Sequence, residues 1–206
     1  HSSLGAFVSD IPIITPLVSA DGNTYSIYVD DNVVRTTAVA TNELGNSWET
    51  ALRYLGNALH YARLFQDSLK KAGQPLKTFN IYVKEGNYPN TNSYVGGRVR
   101  NIPISMAGNV TLYGGYPDAL EGTDVSRRNP VRYPSVITGY VNGNYEYNVA
   151  HLFVIEGDWG TPGVLDGFQI RYANATSQKM GNTNTYGAAI TIKDGAYAII
   201  RNTVIA

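Results

Sequence analysis

Between Asn46 and Gly73 the apolar residues Trp48, Ala51, Leu52, Leu55, Ala58, Leu59, Ala62, Phe65 and Leu69 fall at steps of three and four. That spacing lines one face of an α-helix. Asn46 followed by Glu49 reads as a capping pair. Lys70 and Lys71 suit the negative end of the helix dipole, and Gly73 with Pro75 ends the run. The pattern predicts a helix over 47–73. Elsewhere the period shortens to that of strands. "TYSIYVDD" precedes the helix, and after Pro75 come "FNIYV", "NVTLYG", "SVITG", "HLFVIEG", "VLDGFQIR", "AAITIKD" and "AIIRNTVI", cut by Gly, Asn and Pro. Two of these align: "LDGFQI" (165–170) matches "IRNTVI" (200–205), apolar at both ends. Most connections are too long for tight hairpin turns. Short strands at loose periods, with insertions absorbed in loops, predict an all-β solenoid. The helix would then cover its first, otherwise exposed end.

Composition narrows the function classes. Lys plus Arg and Asp plus Glu are both 16, so the formal net charge is zero and charged residues make up only 16% of the chain. No basic field for nucleic acid is present. With 21 Gly, 19 Asn and 16 Tyr, the chain turns often and carries amphipathic rings. It has no cysteine, hence neither disulfides nor thiolate metal sites, and its apolar runs are far short of a membrane span. His1, His60 and His151 lie too far apart for a metal motif, and no metal or cofactor is expected. The chain opens on His1 rather than Met, which reads as a processed form or a fragment.

"SWETALRYLGNALHYA", "IYVKEGNY", "VTLYGGYP" with "EGTD", "SRRNP" and "YPSVITG", then "AHLFVI" and "VLDGFQI" occur in that order over about 27–206. In that order they resemble bacterial surface proteins of the pectin-lyase-like, polymorphic outer-membrane-protein-like group common in Bacteroidetes. The resemblance implies a right-handed parallel β-helix, secreted or displayed on the outer cell surface. The expected organisation is an N-terminal extended segment over 1–46 with a strand near 25–29, a capping helix over 47–73, and parallel rungs over 74–206. Tyr140 in "TGYVNGN" departs from the group, where an acidic residue is expected.

The chemistry-bearing residues have bland readings beside functional ones. Lys84 and Glu85, adjacent on a strand, point to opposite faces and cannot address one substrate atom together. They read as a solvated corner at which Gly86 turns the chain. Asp166, matched by Arg201 in the aligned copy, reads as an outward or turn position. Glu121, Asp124, Arg127 and Arg128 read as an exposed loop held by local pairs. Asn109 and Asn174 sit in glycosylation sequons, relevant only to a eukaryotic secretory route. No nucleophile elbow, P-loop or recurrent carboxylate cluster appears. Tyr113, Tyr116, Tyr145 and Tyr147, with Asn142 and Asn144, supply the aromatic faces and planar amides that bind sugar rings, and are the candidate ligand site. The expected role is non-catalytic adhesion or glycan binding, with a glycan or host surface ligand as partner. The alternatives are a polysaccharide lyase or glycoside hydrolase, and a structural stalk or assembly subunit. Finally, "GAYAIIRNTVIA" runs to Ala206 with no capping segment, so further rungs or another protein chain are expected to continue the stack.

Overall fold

Ile27, Tyr28 and Val29 stand directly opposite Ile81, Tyr82 and Val83 in two parallel strands. The repeated "IYV" is thus one layer of side chains laid on the next. The computed structural model describes residues 13–32, 43–89, 104–139, 152–173 and 189–206. In chain order they form β1 (Leu17–Val18), β2 (Thr24–Val29), α1 (Leu55–Lys71), β3 (Thr78–Lys84), β4 (Gly86–Pro89), β5 (Ile104–Met106), β6 (Val110–Tyr116) and β7 (Ser135–Thr138). There follow β8 (Phe153–Glu156), β9 (Gly163–Asp166), β10 (Phe168–Arg171), β11 (Ile190–Lys193), β12 (Ala198–Arg201) and β13 (Val204–Ile205).

The strands make three sheets, ordered β1-β2-β3-β6-β9-β12, β13-β10-β7-β4 and β11-β8-β5. Every pairing is parallel except β1 with β2. Ile27, Ile81, Leu112, Phe168, Ile155 and the helical Leu55, Ala58, Leu59 and Ala62 share one core. The architecture is therefore mixed α/β: among the described residues, three separate, mostly parallel sheets and one helix. This corrects the all-β parallel β-helix with a capping helix predicted from the sequence. Period-two patterning locates strands but does not say which of them share a sheet, and the buried face of α1 supplies core volume that the pattern assigned to a lid.

The helix also starts later than its apolar spacing predicts, at Leu55 rather than near Ser47. Leu52 donates its amide to the Tyr28 carbonyl at 2.8 Å and accepts from the Asp30 amide at 2.9 Å. Gly45 accepts from the Tyr28 amide at 2.9 Å. The segment before α1 is drawn out as a cover for the edge of β2, beside the short antiparallel β1. Asn46 serves no helix; its side chain accepts from Thr50 Oγ1 at 2.7 Å within a turn. Tyr54 takes the cap position with no side-chain cap bond. At the far end Gln66, fully buried, donates to the Lys77 carbonyl at 2.6 Å and accepts from the Lys77 amide at 3.1 Å, tying α1 to the start of β3.

Candidate functional site

The outer face of the largest sheet carries Tyr28, Tyr82, Tyr113, Asp166 and Arg201 in register across β2, β3, β6, β9 and β12. Of the expected sugar platform Tyr113 and Tyr116 lie here, and both rings are already engaged. Tyr113 is half-buried, stacked on Tyr82 with centroids 5.7 Å apart, and the Arg128 guanidinium lies over its ring at 5.5 Å. Tyr116 is only 3% exposed and packs with Tyr28, Trp48 and Leu120. Burial pushes its phenol up, and pushes that of Tyr28 up to about 12. Trp48 holds the covering loop in place: its amide donates to the Gly122 carbonyl at 2.9 Å and its ring N–H to the Asp124 carbonyl at 2.8 Å. The loop expected to be held by local pairs has them, at Asp124 with Ser126 and Arg127 with Ala119, and is tied down by these distant bonds as well. Tyr145, Tyr147, Asn142 and Asn144 lie outside the described residues, as do Tyr140, His1, His151 and Asn174. His60 is exposed on α1.

Lys84, read as solvated, and Asp166 are both buried, for one reason. Each is paired with the opposite charge carried by the neighbouring strand or its extension. Lys84 is buried, not solvated: its Nζ lies 3.0 Å from Asp30 Oδ2, donates to the Asp118 carbonyl at 2.9 Å and sits 5.2 Å from the Trp48 ring centroid. Asp166 stands on that outer face at the end of β9, beside the turn at Gly167, but it is buried rather than solvated. Arg128 reaches its Oδ1 at 2.6 Å, Arg201 its Oδ2 at 2.7 Å, and Asn202 donates to Oδ1 at 2.9 Å. Burial pushes the Asp166 carboxyl up, but these donors outweigh it and hold the group below its ordinary value. Asn202 adopts a φ of 50°, beside Gly167 at 82°, so both turn the chain from one sheet to the next.

A cavity of about 320 Å³ opens beside β4, lined by Asp31, Arg53, Tyr54, Leu55, Asn87, Tyr88 and Pro89. Asp31 Oδ2 accepts from the Asn87 amide at 2.7 Å, while buried Oδ1 has no hydrogen-bond partner among the described residues. Burial pushes the Asp31 carboxyl up, against the Asn87 bond, with Asp30 and Asp118 adding to the rise. Gly86, at a φ of 152°, leaves the room that this carboxylate occupies, since a Cβ there would overlap it. None of Asp31, Arg53, Tyr54 or Asn87 was singled out in the sequence. The signal was the "IYVDD" and "IYVKE" pair, which sets Asp30 against Lys84 once aligned.

The last layer is different from all of these. β11, β12 and β13 are each the final strand of a sheet among the described residues. Leu165 is 0% exposed, but its register partner Ile200 is 39% exposed. Ile155 and Ile192 are 1% and 45% exposed, and Ile170 and Ile205 are 0% and 55%. Three core-facing ladders thus meet solvent at the same end. The β2 end of the largest sheet is covered by contrast, by β1 and by Leu52.

Among the described residues no three His, Asp or Glu are placed to hold a metal, and no helix is long and apolar enough to cross a membrane. No family model, curated protein or solved structure matches the chain, and its function is read from its own residues.

Proposed function

We propose that the protein is an assembly module whose end formed by β11, β12 and β13 is covered by further extended polypeptide, whether of this chain or of another. The observation that carries this is the jump in exposure between partners that share one face, from Leu165 to Ile200, Ile155 to Ile192 and Ile170 to Ile205. Large apolar side chains aligned on terminal strands favour strand addition, in which main-chain bonds supply affinity and side-chain pockets supply register. The test is hydrogen exchange with and without a short peptide alternating threonine and valine. Slowed exchange at Ile199–Arg201 and Val204–Ile205, with none at β3, supports the reading. Unchanged exchange at the solubility limit of the peptide removes it.

A second reading keeps glycan binding but moves it to the cavity beside β4. Tyr54 offers a ring, Asn87 an amide, and Asp31 and Arg53 charged hydrogen-bonding groups, the set that sugar hydroxyls use. Glycan-array binding abolished by Tyr54→Ala but retained in Tyr113→Ala supports this site; the reverse outcome rejects it.

A further inference from the structure

Asp31 and Arg53 line the same cavity beside β4 with opposite charges. Neither takes part in an ion pair among the described residues. The carboxylate is short of donors. Its Oδ2 accepts from the Asn87 amide at 2.7 Å, while its buried Oδ1, packed against Gly86, accepts from none of the described residues. The charges that face it, Asp30 and Asp118, are of its own sign. Lys84 is already held by Asp30 Oδ2 at 3.0 Å and by the Asp118 carbonyl at 2.9 Å. Arg53 is exposed, its guanidinium carbon 5.9 Å from the centroid of the Tyr54 ring. Buried Leu55 and Tyr88, with Pro89, make the rest of the wall apolar.

We propose that this cavity binds a small organic zwitterion, its ammonium donating to Asp31 and its carboxylate accepting from the Arg53 guanidinium. Tyr54, Leu55 and Pro89 would cover the carbon chain between the two charges. A bare cation would answer Asp31 but meet the like charge of Arg53, and among the described residues no three His, Asp or Glu are placed to hold a metal. The planar fork of an arginine matches a carboxylate in two parallel bonds, and such charged bonds are about twice as strong as neutral ones. A volume of about 320 Å³ accommodates a ligand of this size. The proposal rests on the cavity of the second reading above, and asks there for an ammonium and a carboxylate in place of sugar hydroxyls.

The test is an NMR titration of labelled protein with glycine, β-alanine, γ-aminobutyrate and ε-aminocaproate, which set the two charges progressively further apart. Propylamine and butyrate serve as the singly charged probes. One zwitterion should shift the Asp31, Arg53 and Asn87 amides and bind about tenfold more tightly than either singly charged probe, the worth of one charged hydrogen bond. Asp31→Asn and Arg53→Gln, the second at an exposed position, should each lower its affinity about tenfold. Circular dichroism checks that both variants fold. Unchanged affinity in Arg53→Gln, or propylamine binding as tight as that of the best zwitterion, would overturn the proposal. If no zwitterion shifts these amides, the proposal fails. Glycan-array binding that is lost in Tyr54→Ala would then leave the second reading standing, and its absence would remove both.

Discussion

Leu165 and Ile200 face each other across β9 and β12 on the same side of one sheet, and only Leu165 is covered by a further layer. The pair isolates the value of that layer, because chemistry, strand direction and register are shared. Leu165→Ala should lower unfolding free energy by about 2–5 kcal/mol, the usual cost of a buried aliphatic truncation. Ile200→Ala should cost less than half as much as Leu165→Ala, since part of its surface already meets water. Urea unfolding of the two variants checks this, and equal losses would mean that Ile200 is covered in solution.

The helix offers a matching contrast. Leu55 is buried in the shared core while Leu64 is 56% exposed on the opposite face. Leu55→Ala should therefore cost about 2–5 kcal/mol, and Leu64→Ala should stay within about 0.5 kcal/mol of wild type. Thermal and urea midpoints read both. A neutral Leu55→Ala would show that α1 is not part of the core.

Lys84 neutralises Asp30 in a site that excludes water from both. Lys84→Met leaves the Asp30 carboxylate buried with its charge uncompensated, and should cost about 3–5 kcal/mol. Adding Asp30→Leu to the same chain should recover much of the loss, because no lone charge then remains. A double variant no more stable than Lys84→Met would show that the ion pair itself is not what the single substitution broke.

Asp31 and Asp166 are shifted in opposite directions from the ordinary carboxyl value, so pH separates them. The raised Asp31 carboxyl binds its proton more tightly folded than unfolded. Its contribution is fully present below the unfolded value of about 3.9 and is lost as pH rises through the folded value. Asp31→Asn should remove that decline, narrowing the gap in thermal midpoint between pH 4 and pH 7. A variant that keeps the full wild-type decline would place its origin elsewhere, at Asp118 for instance, whose carboxyl burial also raises.

Asp166 is held below its ordinary value, so its ion pairs stabilise the fold above the unfolded value of about 3.9 and fail as pH falls through the folded one. Asp166→Asn should be less stable than wild type at pH 7, with Arg128 and Arg201 left without their carboxylate. It should also lose less stability than wild type does between pH 4 and pH 2. Parallel acid-unfolding curves for the two proteins would contradict this assignment.

Much of the strand layout was legible along the chain. Aligning "LDGFQI" with "IRNTVI" predicted the observed pairing of Leu165 with Ile200 and of Ile170 with Ile205. The C-terminal half of α1 follows from its spacing, its two lysines and Gly73. These features depend on neighbours a few residues away or on side-chain alternation that the backbone itself imposes. The exposed apolar run at the end of the chain was legible for the same reason, since Ile199, Ile200, Val204 and Ile205 are too apolar for a solvated tail.

What the tertiary structure alone decided is where each pattern was used. Trp48, Ala51 and Leu52 carry a helical spacing, yet the Tyr28 and Asp30 backbone groups at the edge of β2 needed partners, and Leu52 supplies them. Tyr116 lies in a segment that reads as a surface platform, but Trp48 arrives over it from a distant part of the chain and Leu120 folds back from four residues on. Asp166 and Lys84 look solvated in isolation, and only the stacking of strands brings Arg201, Arg128 and Asp30 within reach. Local propensity is worth a few tenths of a kcal/mol per residue, whereas an unpaired buried amide or charge costs about 1–3 kcal/mol or more. Where the two conflicted in this chain, the long-range hydrogen bond or ion pair prevailed.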